Sequence, residues 1–376
     1  MDRPTPQPDP RAVAILGLAT ATPPTTAQSK AADLARALCA STPDQHRWVT
    51  AIYERSGVQR RASVLTTDLP QSDGPDTVAR VIDDFYPPPS SPADHGPSTA
   101  QRMQRYAQLA PPLAAAAARA ALDDARATPL DITHLVTASC TGFVAPGLEF
   151  ALIRRLNLRP SVQRTHIGFM GCHAAFNALA VARNIVLANP HARVLVCCVE
   201  LCTLHQPYGF DPQRIVASAL FSDGAAAAVV GSAGLLRPDW SLLDTASLLL
   251  PDSDDAMTWC IGDNGFEMTL SPRVPDLIRR ELRPWLQSWL SERNLALADI
   301  HHWLVHPGGP KVLSAVASAL NLPDSALAHS RAVLADHGNM SSATILFILN
   351  RARPSTAPAV ALGFGPGLTA EAMLLA

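Results

Sequence analysis

Short runs of apolar residues alternate along this chain with longer stretches in which apolar positions recur every three or four residues. The first pattern predicts buried strands and the second amphipathic helices. Ala12–Ala19 reads as a strand ended by Thr22-Pro-Pro24, and helical spacing follows through Ala31–Ala40 and past Gln45. Residues Asp68–Gly96 are rich in Pro, Ser and Asp, which predicts a loop with one short helix inside it. Thr99–Ala127 predicts a long Ala-rich helical region interrupted near Pro111 and Pro112, where the chain lacks a backbone donor. Beyond Leu135 the texture becomes strand–helix alternation. Strands are predicted at Leu135–Ser139, Thr165–Phe169, Val194–Val199 and Ala225–Val230, and helices at Gly147–Leu156 and His173–Ala188.

The second part of the chain reuses these devices. Val274–Leu290 places Ile278, Leu282 and Leu286 on one helical face. Trp303–His306 predicts a strand ending in Pro307-Gly-Gly309, followed by a helix over Val312–Leu320. Asn339-Met-Ser-Ser342 opens a helix over Ala343–Arg351, and Ala359–Leu368 predicts a strand–turn–strand that closes on Ala372–Leu375. Each half therefore carries a strand–turn–helix with a reactive residue at the turn, and a closing hairpin. This implies a duplicated α/β unit, with halves 1–233 and 234–376 and a boundary within 231–238, although no repeat is visible letter by letter.

At 376 residues, two packed halves are a more natural solution than one oversized core. Thirty basic against thirty-two acidic residues give a net charge of −2, which offers no nucleic-acid footprint. Phosphate-bearing ligands stay open, since a local basic patch suffices for them. The longer apolar runs break at Arg, Asp or Pro before reaching a membrane span, and the polar Met1–Pro8 reads as a frayed tail without a secretion signal. The expected location is the cytoplasm. Seven cysteines without a C-x-x-C pair point to neither a disulfide framework nor a zinc site. Cys197 and Cys198, inside an apolar run, read as small core residues.

Three residues invite a chemical reading. Cys172 sits in Ile167-Gly-Phe-Met-Gly-Cys-His-Ala-Ala-Phe176, a glycine-marked turn from strand to helix. Helix N–H groups there favour a thiolate, so the turn predicts a thiol pKa lowered from about 8.5. The alternative is a packed core cysteine. His306 ends an apolar strand before Pro-Gly-Gly and is placed either to pair with a thiolate or simply to sit satisfied at a strand end. Asn339, in Asp336-His-Gly-Asn-Met-Ser-Ser342, is either a turn or cap residue or a neutral donor aimed at an oxyanion. All three fall at the mouths of strand–turn–helix elements. Such a set suits decarboxylative carbon–carbon bond formation, which needs a held thioester and metal-free donors for an enolate.

The motifs that carry these residues resemble the chalcone/stilbene synthase-like family, the type III polyketide synthases, from about Ile15 to the C-terminus. They are Ala19-Thr-Ala-Thr-Pro-Pro24, Gly168–His173, Ala219-Leu-Phe-Ser-Asp-Gly-Ala225, Val305–Pro310, Gly338–Ser342 and, most specific, Gly363-Phe-Gly-Pro-Gly-Leu368. The resemblance implies a thiolase-like αβαβα layered fold, iterative condensation of malonyl-CoA onto an acyl-CoA starter, and closure to a pyrone or resorcinol. It implies a homodimer with no cofactor beyond its coenzyme A substrates. Cys172 then resembles the acyl-accepting nucleophile, and His306 and Asn339 the pair supporting decarboxylation. Phe221 matches a gatekeeper aromatic and Ser341 a cavity wall. Arg55, Arg60 and Arg61 lie where the family gathers charge for the CoA phosphates. The loop Val144–Gly147 matches one that crosses into the partner's site.

Departures from the plant pattern bear on the product. Met268 falls where a second gatekeeper Phe stands, which suggests a more adaptable passage. Cys140 and Cys202 replace Thr, and Ala145 replaces a larger residue, suggesting room for a long chain. Glu200-Leu-Cys-Thr-Leu-His205 is more similar to bacterial alkylresorcinol and alkylpyrone synthases, with fatty acyl starters. Cys140 is either a second reactive thiol or a wall residue. Two other readings stay open: an initiating ketoacyl-ACP synthase, and a Cys-His-Asn hydrolase or acyltransferase. A non-enzymatic partner subunit would be expected to have lost the nucleophile.

Overall fold

The computed structural model describes residues 12–66, 85–234, 240–352 and 357–376. The N-terminal tail, most of the Pro/Ser/Asp-rich segment and 235–238 of the expected boundary lie outside the described residues. In that segment, the described residues 85–96 form turns and no helix.

The strands are β1 Val13–Ala21, β2 Thr25–Ala27, β3 Arg60–Ala62, β4 His134–Ser139, β5 Gln163–Gly168, β6 Val194–Leu201, β7 Asp223–Ser232, β8 Trp240–Leu249, β9 Met257–Gly262, β10 Gly265–Leu270, β11 His302–Val305, β12 Ala359–Gly365 and β13 Thr369–Leu375. The α-helices are α1 Gln28–Cys39, α2 Pro43–Glu54, α3 Thr99–Asp124, α4 Leu148–Leu156, α5 Ala174–Ala188, α6 Pro212–Leu220, α7 Val274–Ser291, α8 Pro310–Leu320, α9 Ala328–His337 and α10 Thr344–Ala352. Nine strands form one sheet in the order β11-β12-β13-β8-β1-β7-β6-β4-β5. In one half β4 and β6 are parallel while β6, β7 and β1 run antiparallel. In the other, β11 and β12 are parallel while β12, β13 and β8 run antiparallel. The shared order of directions is the duplication, and the halves join where β1 pairs with β8 at Ala14–Ser241 and Ile15–Trp240.

Period-2 alternation divides the strands among three cores. On β6, Leu195, Cys197 and Val199 face an outer core with α3, whereas Val194, Val196 and Cys198 face a central core with α5 and α10. On β12, Ala359 and Ala361 face the same central core, while Val360, Leu362 and Phe364 face a second outer core with α7 and α8. Helix, sheet, helix, sheet, helix is the expected five-layer arrangement, and Cys197 and Cys198 are fully buried on opposite faces of one strand.

One local expectation fails. Helix α3 runs unbroken through Pro111 and Pro112. Its buried face, Ala110, Pro111, Ala114, Ala117, Ala118 and Ala121, packs on β1, β6 and β7. That continuous burial outweighs the roughly 3 kcal/mol that a proline costs a helix. Close approach is possible because the partners are small: a Cβ on Gly17 would lie 2.6 Å from the Ala121 carbonyl oxygen. The hydrophobic pattern also left β8, β9, β10, α6 and α9 unassigned.

Candidate active site

The turn that carries Cys172 is strained. After β5, Phe169 adopts φ 62° and Gly171 φ 73°, before a single 3₁₀ turn, Gly171–His173, leads into α5. A left-handed phenylalanine costs about 1–2 kcal/mol. It is held by its N–H donating to the Ser139 carbonyl at 3.3 Å and by ring contacts with Phe143 and Phe266, at centroid distances of 5.3 and 5.7 Å. A Cβ on Gly171 would stand 2.6 Å from Pro366 Cδ, so glycine is required there on both counts. The turn brings Cys172 Sγ to 4.0 Å from Asn339 Nδ2.

Asn339 follows α9 through Gly338, at φ 74°. Its backbone N–H donates to the Leu220 carbonyl at 2.8 Å, and its own carbonyl accepts from Ser222 at 2.9 Å. Side-chain Oδ1 accepts the Ser341 N–H at 2.8 Å, and because that donor can only face oxygen, Nδ2 is turned toward the sulfur. The turn role and the donor role are thus two ends of one amide. His306 follows β11, its N–H donating to the Leu362 carbonyl at 2.8 Å. Its ring is buried, and among the described residues neither nitrogen has a hydrogen-bond partner. Burial lowers its pKa to about 3, with His173 adding to the effect, so the ring is neutral.

Cys172, His306 and Asn339 line one cavity. A second, larger one is walled by Cys140, Cys202, His205, Trp259, Phe266 and Ser341. Cys172, Phe221 and Met268 line both, so the Phe221 ring and the Met268 thioether stand at the boundary with the sulfur. Cys140 Sγ lies 3.2 Å from Ser341 Oγ and 3.4 Å from Glu200 Oε1. Glu200 is buried; it accepts from Thr141 Oγ1 at 2.7 Å, from the Cys140 N–H and from Ser342, and burial raises its pKa.

Two expectations require correction. Cys172 is not a lowered thiol: burial pushes it up to about 11, against the opposing hydrogen bonds from Ser341 and Asn339. Burial likewise pushes Cys140 and Cys202 well up. Arg61 is buried, with its guanidinium donating to the Ser218 carbonyl at 2.7 Å and to the Phe221 carbonyl, so its charge is turned inward to the backbone at Phe221 and away from the surface. Arg55 and Arg60 are exposed, Arg60 donating to Thr25 Oγ1 at 2.8 Å. Ala145, on the Val144–Gly147 loop, is exposed on the single chain and lines neither of its two cavities.

Sequence reasoning missed the aromatic wall. Trp259 and Phe266 come from the β9–β10 ribbon, where Trp259 Nε1 donates to the Cys140 carbonyl at 2.7 Å. His205 stacks on Phe266 at 4.3 Å, its Nε2 donating to the Thr141 carbonyl and its Nδ1 accepting the Phe266 N–H. The readable signal was the alternation Met257, Trp259 and Phe266, Met268. These four positions face one cavity on a two-stranded ribbon. Among the described residues, no cluster of His, Cys, Asp and Glu could hold a metal ion, and no helix is long and apolar enough to cross a membrane.

The duplicated five-layer fold, with Cys, His and Asn converging from its two halves, defines a thiolase-fold acyltransferase. Residues 8–234 match the model of the N-terminal domain of chalcone and stilbene synthases, and 241–376 match that of the C-terminal domain. The chain belongs to that family, the type III polyketide synthases, which decides against the ketoacyl-ACP synthase and hydrolase alternatives. It is 33% identical over 377 residues to the alpha-pyrone synthesis polyketide synthase-like Pks18 of Mycobacterium tuberculosis, covering 97% of this chain and 91% of that protein. It is 39% identical over 271 residues to 1,3,6,8-tetrahydroxynaphthalene synthase of Streptomyces peucetius, covering 70% and 72%. The structure of PKS-I from the brown alga Ectocarpus siliculosus superposes with a TM-score of 0.85 at 30% identity, over 97% of this chain and 98% of that one.

Proposed function

We propose that the chain condenses malonyl-CoA repeatedly onto a fatty acyl starter held on Cys172 and closes the product to an alkylpyrone or alkylresorcinol. The observation that carries this reading is the neutral, unpartnered His306 ring in one cavity with Cys172 and Asn339. A buried donor and acceptor without partners are costly unless a ligand completes them. A thioester carbonyl fits that place, entering as the side chains around the ring give way.

In the first step the Cys172 proton passes to His306, the sulfur attacks the starter thioester, and coenzyme A leaves with a proton. Malonyl-CoA then loses carbon dioxide, and the enolate oxygen takes hydrogen bonds from Asn339 Nδ2 and the His306 ring. The enolate carbon attacks the Cys172 thioester, and the chain, longer by two carbons, leaves on coenzyme A to be reloaded. Phe221 and Met268 pass the growing chain into the larger cavity, whose wall is mostly apolar and aromatic and fits a polyketide better than a charged substrate. Arg55 and Arg60 are offered as the cations for the CoA phosphates. The remaining assignments belong to the same reading: division near residue 233, a homodimer completed by the Val144–Gly147 loop, a cytoplasmic location, and no cofactor beyond the thioesters. The printed name of Pks18 supports the pyrone outcome, and that of the naphthalene synthase shows a relative with a different product.

The test is incubation of the purified protein with radiolabelled malonyl-CoA and acyl-CoA starters of graded length, beside Cys172→Ala. Labelled pyrones or resorcinols that vanish in the variant support the reading. Release of free acid alone, without use of malonyl-CoA, refutes it.

A further inference from the structure

His173 directly follows Cys172, and no step above uses it, yet its ring is buried and both nitrogens are engaged. Nδ1 lies 2.9 Å from Asn177 Oδ1, and Nε2 lies 2.7 Å from Thr369 Oγ1. The Asn177 amide is oriented from its far end, where Nδ2 donates to Glu371 Oε1 at 3.2 Å. Ser247 Oγ donates to the same carboxylate oxygen at 2.8 Å. The amide oxygen therefore faces the ring, and Nδ1 carries the proton donated to it. On the other side, Thr369 has one hydroxyl proton and two acceptors in reach, ring Nε2 and the Pro366 carbonyl at 2.8 Å. A neutral ring leaves one of them unserved. A protonated ring serves both, since Nε2–H donates to Thr369 and Thr369 donates to Pro366. The chain of bonds thus runs from a buried carboxylate, through the residue beside the nucleophile, to the turn whose Pro366 abuts Gly171.

We propose that His173 is a positioning residue for the condensation: Nε2, through Thr369, ties the Cys172 turn to Pro366 and the start of β13, and Nδ1, through Asn177, ties it to Glu371 on the same strand, so that the sulfur stays beside Asn339. The proposal rests on Cys172 being the acyl-accepting thiol. Glu371, beyond Asn177 on β13, and His306, after β11, are the titratable groups facing the ring. Burial holds the ring below the ordinary 6.5, while the Asn177 hydrogen bond and Glu371 pull it back up. Its second proton, which completes the chain, is therefore taken up on the acid side of that value.

The experiment measures alkylation of Cys172 by iodoacetamide between about pH 5 and 9, beside steady-state condensation. It uses wild type, His173→Phe, His173→Gln, Thr369→Val and the Phe/Val double variant. The wild-type profile is expected to carry, besides the thiol limb, an inflection below about pH 6.5 that both His173 variants lack. Phe keeps the volume and loses two bonds, which predicts a kcat loss of about 5- to 50-fold with KM for the starter within about twofold. Gln, whose amide reaches toward Thr369, is expected to recover most of that loss. The double variant is expected to lose little more than the worse single one, because both changes cut one chain. Wild-type kcat with an unchanged pH profile in His173→Phe overturns the proposal, as do fully additive losses. If His173→Phe does not fold, Thr369→Val decides alone, with a kcat loss expected and wild-type turnover overturning it. If alkylating Cys172 leaves wild-type condensation intact, the reading of Cys172 fails and takes this proposal with it. Inactivation of the wild type together with wild-type-like variants overturns the positioning role alone.

Discussion

Replacing His306 by Leu is expected to make the protein more stable while nearly abolishing its activity. The neutral ring buries one donor and one acceptor with no partner among the described residues. Each such group costs about 1–3 kcal/mol, so removing both is worth about 2–6 kcal/mol at pH 7. The gain grows with acidity. The folded ring titrates near 3, well below its unfolded value of about 6.5, so the unfolded chain binds the extra proton as pH falls between these values. Wild type then loses about 1.4 kcal/mol per pH unit through this residue, roughly 2 kcal/mol by pH 5, and the Leu variant loses none of it. Taking the difference between the two proteins cancels the buried groups they share, including Asp223, raised to about 6, and His205, lowered to about 3. The assay is urea denaturation followed by tryptophan fluorescence, at one protein concentration, at pH 7 and pH 5. Condensation is measured in parallel, where loss of an oxyanion donor predicts a fall in kcat of about 10²–10³-fold. A variant no more stable than wild type at pH 7, with a gap that does not widen at pH 5, would refute the argument. The ring would then have a partner, and the orphaned nitrogens could not mark a substrate position.

Because the Cys172 thiol is pushed up to about 11, its alkylation rate is expected to climb about tenfold per pH unit from neutrality to about pH 10. A plateau beginning near neutrality would instead reveal a preformed thiolate–imidazolium pair. Trp259→Ala removes an indole that lines the larger cavity and donates to the Cys140 carbonyl. It is expected to shift products toward longer starters or additional extensions, read by mass spectrometry of the labelled products, and unchanged product lengths would count against the wall assignment. Arg61→Ala leaves the Ser218 and Phe221 carbonyls without their donor. A stability loss of about 3–5 kcal/mol is expected in denaturant titration. Arg55→Ala, at an exposed site, is expected to raise KM for acyl-CoA with stability within about 0.5 kcal/mol.

Much of the site was legible because it lies at punctuation marks. Gly171 and Cys172, His306 before Pro-Gly-Gly, and Asn339 after Gly338 all sit where a strand or helix must end, and glycine marks those ends in the sequence. Alternation within β6 and β12 was equally legible, since a period of two assigns each side chain to a face before the neighbouring layers are known. The continuity of α3 was not, because a proline's local cost is visible in the sequence and the alanine face that outweighs it is not. The β9–β10 ribbon was overlooked for a related reason: its alternation is short, and Trp259 matters only because the fold lays it across from Cys140.

The sequence by itself therefore determined most of the element types, the duplicated α/β plan, the family and the placing of Cys172, His306 and Asn339 at turns. The tertiary structure alone decided their environments. Arg61 turns inward because two backbone carbonyls from 218 and 221 meet it, a contact across about 160 positions that no local pattern encodes. The Cys172 turn promises a lowered thiol, yet the layers packed around it remove water, and desolvation of a charge outweighs the dipole of one helix end. Burial depth, and with it the protonation state of Cys172, His173 and His306, is a property of everything packed around those residues. It became readable only once the layers were in place.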